Sequence, residues 1–165
     1  MTRAAAFDAI LFDIGGTLVV EAPPGTPTAD LRVELFPYVL ADVTDLARRF
    51  RIGAVTNTAV MTETDVRALL QPSGLSARLE VVVTSADVGA AKPDPRPIAR
   101  ALEQLGLSDP ARVLYVGNDP VDRQAAAAAG TAFAGTDGST RIREVVERAA
   151  TRRGDEPGAG RSGYR

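Results

Sequence analysis

Four short apolar runs recur along this chain: Ala9-Ile10-Leu11-Phe12, Ile52-Gly53-Ala54-Val55-Thr56, Val81-Val82-Val83-Thr84 and Val113-Leu114-Tyr115-Val116. Each has the length and uniform hydrophobicity of a strand buried on both faces. Helical patterns separate them. Pro37 suits a first helical turn, and Val39, Leu40, Val43, Leu46, Ala47 and Phe50 fall on one apolar face, so a helix is expected to about Phe50. A second is expected over Glu63 to Leu70, with Thr62 as N-cap and Gly74 beyond its end. Ile98, Ala101, Leu102 and Leu105 mark a third, stopped by Gly106. An alanine-rich helix follows over about Pro120 to Ala129, then a short strand near Ala132–Ala134 and an amphipathic helix over Arg141–Ala150.

Strands that alternate with helices predict an α/β fold, a three-layer, Rossmann-like open parallel sheet with helices on both faces. In such sheets a ligand sits beyond the carboxyl ends of the strands. Between the first strand and the first helix, Val19–Leu35 is broken by Pro23, Pro24, Gly25 and Pro27 and reads as a loop or small hairpin. We expect one domain over residues 1–150. Residues 151–165, rich in glycine and charge, read as a disordered tail. The tail holds a formal GxGxxG at Gly158–Gly163, with no strand before it and no helix after it, so the match is chance.

Composition narrows the chemistry. At 165 residues and 45% apolar content, the chain can bury one core without staples. It has no cysteine and no histidine, so catalysis must run on carboxylates, hydroxyls, lysine, arginine or backbone. A net charge of −2 gives no field that would draw nucleic acid or an anionic membrane. The apolar stretch Ala4–Leu11 is too short and too soon followed by Asp13 to be a signal peptide or a membrane span, so a cytoplasmic location is expected. Among the 19 basic residues, Lys92 is the sole lysine. A position that keeps lysine against that background is a candidate for a specific role.

The residues at the strand ends are Asp13, Thr56 with Asn57, Lys92 in the loop after the third strand, and Gly117-Asn118-Asp119. Taken singly, each has an ordinary explanation: a turn former, a β-branched strand residue, a solvated lysine, a helix cap followed by proline. Gathered at one sheet edge, a carboxylate, a hydroxyl, an ammonium and further acids make a site for a phosphate and a divalent cation.

In this order the motifs resemble those of the haloacid-dehalogenase-like hydrolase superfamily. They are Leu11-Phe12-Asp13-Ile14-Gly15-Gly16-Thr17-Leu18, Ala54-Val55-Thr56-Asn57, Gly89-Ala90-Ala91-Lys92-Pro93-Asp94-Pro95, and Val116-Gly117-Asn118-Asp119-Pro120-Val121-Asp122. A receiver-type phosphoacceptor domain uses similar residues, but there the lysine comes last. The resemblance implies a phosphatase in which Asp13 attacks a phosphomonoester to form an aspartyl-phosphate. Thr56 and the backbone at Gly16 and Asn57 would hold the phosphoryl oxygens, and Lys92 would balance charge at Asp13 and on the phosphoryl group. Mg²⁺ would be held by Asp13, the Gly15 carbonyl and Asn118, with Asp119 or Asp122 supplying charge.

The sequence departs from the family pattern at two positions. Gly15 stands where the family's phosphatases carry a second Asp that acts as general acid and base, and Asn118 stands where a metal-binding Asp is usual. The alternative reading is therefore an impaired relative that binds a phosphorylated ligand or a protein partner. Only about 18 residues separate Leu18 from Pro37, too few for a helical cap domain. An uncapped site implies a large substrate, or closure by a partner in a homo-oligomer.

Overall fold

The computed structural model describes residues 6–155. Its centre is a five-stranded, all-parallel sheet in the order β3-β2-β1-β4-β5, formed by β1 (Ala9–Phe12), β2 (Arg51–Thr56), β3 (Val81–Thr84), β4 (Val113–Gly117) and β5 (Ala132–Gly135). Six α-helices accompany it: α1 (Val39–Leu46), α2 (Glu63–Leu70), α3 (Ser85–Val88), α4 (Arg96–Leu105), α5 (Pro120–Ala129) and α6 (Ile142–Asp155).

The pleat sends alternate residues to opposite faces, which divides the core in two. On one face Ile10, Phe12, Ile52, Ala54, Leu114 and Val116 pack against α1, α2 and α6. On the other, Ala9, Leu11, Val55, Val113 and Tyr115 pack against α4 and α5. That three-layer arrangement is the α/β fold expected from the alternating pattern. Gly53 is fixed by packing, since a Cβ there would lie 2.5 Å from Val81 and 2.9 Å from Leu11.

Local chemistry sets the helix ends. Thr62 and Asp65 form a reciprocal capping box at α2, and Asp119 and Asp122 form another at α5, where Pro120 takes the first helical position. Gly106 and Gly130 adopt the left-handed conformation that stops α4 and α5. Asp42, buried on α1, accepts the Arg143 N–H at the start of α6 and pairs with Arg141, so one helix caps another.

Three boundaries differ from expectation. The first helix starts at Val39 and ends at Leu46, because its final residues tighten into three-residue turns (Arg48 N–H to Asp45, Arg49 N–H to Leu46). A short helix, α3, forms directly after β3, capped by the Thr84 hydroxyl. The last helix does not stop at Ala150 but runs to Asp155, so residues 151–155 do not belong to a tail. There Arg153 lays its guanidinium over the Phe7 ring, 5.1 Å from its centre, and Thr151 donates to the Glu147 carbonyl. The remainder of the expected tail, with the Gly158–Gly163 match, lies outside the described residues.

Between β1 and α1 there is no helical cap. Residues 19–35 form an open hairpin: Val19 bridges Leu35, Val20 N–H donates to the Glu34 carbonyl, and a single 3₁₀ turn spans Thr28–Asp30.

Candidate active site

The strand register brings the expected residues to one edge. Phe12 lies level with Ala54 on β2 and Val116 on β4, so Asp13 emerges between them and donates its backbone N–H to the Val116 carbonyl. Thr56, at the end of β2, sits level with Thr84 at the end of β3. Lys92 reaches in from the loop after α3 and is buried, only 4% exposed.

Lys92 Nζ is the hub. It lies 2.9 Å from Asp13 Oδ1, 2.7 Å from Asp122 Oδ1, 2.7 Å from the Tyr115 hydroxyl and 2.9 Å from the Val55 carbonyl. An ammonium has three protons, so four oxygens share them. The Tyr115 hydroxyl relieves that shortage by donating its own proton to the Val55 carbonyl at 2.9 Å. One buried cation against two buried carboxylates leaves the cluster one negative charge in excess.

At Asp13 burial outweighs these charges. Burial, which disfavours the carboxylate, raises its pKa to about 6; Lys92 pulls it down, and Asp122 pushes it up again. Burial and the two neighbouring carboxylates likewise raise the Tyr115 phenol well above its ordinary value, so it stays a neutral donor.

The other Asp13 oxygen faces a different set. Asn118 turns one polar atom of its side-chain amide to within 3.0 Å of Asp13 Oδ2 and 3.1 Å of the Gly15 carbonyl oxygen. With the nitrogen there, the amide donates to both. With its oxygen there, accepting from the Thr17 hydroxyl at 3.3 Å, three oxygens converge and need a cation among them. A carboxylate, a carbonyl and an amide oxygen are the hard donors that suit Mg²⁺. Among the described residues no group of three or more acidic side chains gathers around a metal position.

Two expected contributors are occupied elsewhere. Asp122 gives Oδ1 to Lys92 and Oδ2 to the Asp119 N–H, while Asp119 caps α5 by accepting from Val121 N–H. Of the two, Asp119 keeps one carboxylate oxygen without a hydrogen bond among the described residues, so it is the freer to supply charge near the three-oxygen set. The Asn57 side chain is committed as well. Its amide clasps the Lys92 backbone in both directions, accepting from Lys92 N–H at 2.9 Å and donating to the Lys92 carbonyl at 3.0 Å, so any phosphate contact falls to its backbone. The peptide that follows, Lys92-Pro93, is cis.

The glycines divide by space. Gly16 holds φ +75°, and a Cβ there would strike the Asn118 amide at 2.2 Å, so that position demands glycine. Gly117 is equally confined, since a Cβ there would lie 2.4 Å from Asp122 Oδ2. A Cβ on Gly15 meets nothing within 4 Å. Beyond Gly15 a cavity of about 160 Å³ opens between the 19–35 hairpin and α2, bordered by Thr56 and Asn57. The larger groove of about 720 Å³ runs beside edge strand β5, and none of these site residues lines it.

Sequence reasoning passed over two members of the site. Tyr115 read only as a strand residue; its signal is a polar-tipped aromatic two positions before the strand-ending Gly117, on the pleat face opposite Leu114 and Val116. Ser85 ties the loop after β2 in place, accepting from Thr58 N–H and donating to the Thr58 carbonyl, both at 2.9 Å.

Comparison with known proteins identifies the family. Residues 27–136 match the family described as haloacid dehalogenase-like hydrolase. The chain belongs to that family. Pyrophosphatase PpaX of Bacillus pumilus is 37% identical to this haloacid dehalogenase-like chain over 118 residues, 71% of this chain and 53% of that protein. A plasmid-encoded phosphoglycolate phosphatase of Cupriavidus necator is 38% identical over 97 residues, 58% of this chain and 40% of that protein. The chain thus spans about half or less of the length of these relatives. In fold it is similar to the crystal structure of a haloacid-dehalogenase-superfamily hydrolase of subfamily IA from Geobacter sulfurreducens. The TM-score is 0.71 at 17% identity, covering 90% of this chain and 99% of that one.

Proposed function

We propose that this haloacid dehalogenase-like chain is a Mg²⁺-dependent phosphohydrolase that cleaves a phosphomonoester through an aspartyl-phosphate on Asp13. The observation that carries the reading is the double engagement of the Asp13 carboxylate. One oxygen is held by Lys92 at 2.9 Å, and the other faces the Gly15 carbonyl and the Asn118 amide. Such a carboxylate is fixed in direction, and the Lys92 ammonium opposes the burial that favours its protonated form, as an attacking group requires. Asp13 Oδ2, the Gly15 carbonyl and the Asn118 amide oxygen would hold the Mg²⁺, which would neutralise charge on the phosphoryl oxygens.

The remaining parts act in sequence. Thr56 and the backbone at Gly16 and Asn57 position the phosphoryl oxygens. Asp13 attacks phosphorus as the bond to the leaving oxygen breaks, and Lys92 balances the charge while Asp122 and Tyr115 hold its ammonium in place. Water then opens the aspartyl-phosphate. No helix among the described residues is long and apolar enough to cross a membrane, and we place the activity in the cytoplasm. The uncapped mouth leaves room for a large substrate or a second copy of the chain.

The test is turnover of a phosphate-ester panel with and without Mg²⁺. Hydrolysis that needs Mg²⁺ and vanishes in Asp13→Asn is expected; a rate equal to that of Asp13→Asn overturns the reading. The bare Gly15 favours a second one, a catalytically impaired protein that binds a phosphorylated ligand or a protein partner.

A further inference from the structure

The cavity beside Gly15 differs in character from the site it adjoins. Its walls are Val19, Val33, Met61, Val66, Leu69 and Leu70, a set of apolar side chains from the hairpin, the loop after β2, and α2. Two charged residues of opposite sign touch it: Glu21, and Arg32, one of whose guanidinium nitrogens donates to the carbonyls of Ala29 and Leu31. The cavity meets the site at Gly15, Thr56 and Asn57, and at Gly15 no side chain fills the space that a Cβ would find open.

We propose that this cavity receives the leaving group of the substrate, and that the leaving group is a single aromatic ring, making the substrate an aryl phosphate. The inference rests on the phosphohydrolase reading of Asp13. Size supports it: about 160 Å³ is close to the ~150 Å³ of an apolar cavity that holds benzene. Leaving-group chemistry supports it independently. With Gly15 in place no side chain at that position can protonate the departing oxygen, and a phenol, with a pKa of about 10 as in tyrosine, departs as its anion far more readily than an aliphatic alkoxide. In the balanced step the bond from Asp13 to phosphorus forms as the bond from phosphorus to the ring oxygen breaks. The electron pair leaves on the phenolate, which takes its proton from water. A second water releases phosphate and restores Asp13. The site's unusual glycine and its apolar cavity thus have one explanation.

The experiment is calorimetric titration of the full chain in Mg²⁺ with three phosphonates that cannot turn over: benzylphosphonate, methylphosphonate and carboxymethylphosphonate. Benzylphosphonate is expected to bind at least about tenfold more tightly than methylphosphonate, as burial of a ring requires, and carboxymethylphosphonate more weakly than either. Filling the cavity by Ala22→Phe, or separately by Leu69→Phe, is expected to bring the ratio of benzyl to methyl affinity down to about one. Equal affinities in the unaltered chain, or a ratio that survives both substitutions, overturns the subsite while the phosphohydrolase reading stands. No binding of any of the three overturns both.

Discussion

Lys92 Nζ and Asp122 Oδ1 meet at 2.7 Å with both side chains almost wholly withdrawn from water, 2% and 1% exposed. If Asp122 were removed, Lys92 would keep Asp13 at 2.9 Å, so the cost is that of the hydrogen bonds Asp122 makes rather than of a stranded charge. Asp122 also holds the Asp119 N–H at the start of α5, so it links the lysine to a helix end. Asp122→Ala should therefore destabilise the protein by about 1–3 kcal/mol, measured by urea denaturation. Asp122→Asn, which keeps the shape and the bond to Asp119, should lose less stability while still lowering turnover. Equal stability losses for the two variants would mean that the carboxylate charge, which both remove, accounts for the whole effect.

Gly15→Asp is the most informative gain-of-function change. The backbone there is not in the left-handed region, and a Cβ has open space around it, so the carboxyl can be carried without strain. General acid and base assistance is worth roughly 10²–10⁴ in rate. The variant should accelerate hydrolysis of alkyl phosphates by that order, and aryl phosphates much less. No acceleration on any ester would favour the binding role over the enzymatic one.

The raised pKa of Asp13 carries a stability cost with a definite sign. The unfolded carboxyl titrates near 3.8 and the folded one at about 6, so the folded state holds the proton longer. The stability contributed by the protonated form is full below pH 4 and is lost as pH rises to 6; the loss is on the order of 3 kcal/mol. Asp13→Asn should accordingly be inactive yet more stable than the unaltered chain at pH 8, the gap closing at pH 4. Urea midpoints at the two pH values check this. A variant less stable at pH 8 would show that the ion pair with Lys92 outweighs burial.

Tyr115→Phe removes one oxygen from Lys92 and one donor from the Val55 carbonyl, though Lys92 still serves that carbonyl. With no buried group left wholly unpaired, the expected cost is about 1–2 kcal/mol. The acid limb of the rate profile should move along with the small loss of rate, since the lysine that steadies Asp13 becomes freer. A stability loss with an unmoved profile would reduce Tyr115 to packing.

How much of this was legible in the sequence follows from the reach of each residue. The strands and the four motif positions at their ends could be read directly, because a buried parallel strand is uniformly apolar and its end marks the sheet edge. The roles of Asn57 and Asp122 could not. Asn57 turns its amide to the Lys92 backbone 35 residues away, and both Asp122 oxygens find partners set by how α5 lies against β4. Tyr115 was hidden for a related reason: only the pleat decides that its hydroxyl meets the lysine. The extra turn of α6 was missed because the arginine stem over Phe7 covers apolar surface that hydropathy counts as polar.

The burial of Lys92 has a practical side. It is the chain's single side-chain amine, and in the folded state it is shut beneath Asp13 and Asp122, so amine-directed reagents find no lysine on the exterior to label, crosslink or tether. The rate at which Lys92 is acylated becomes a one-residue gauge of how often the sheet edge opens. A ligand that seals the site should slow that clock, whatever chemistry it undergoes there.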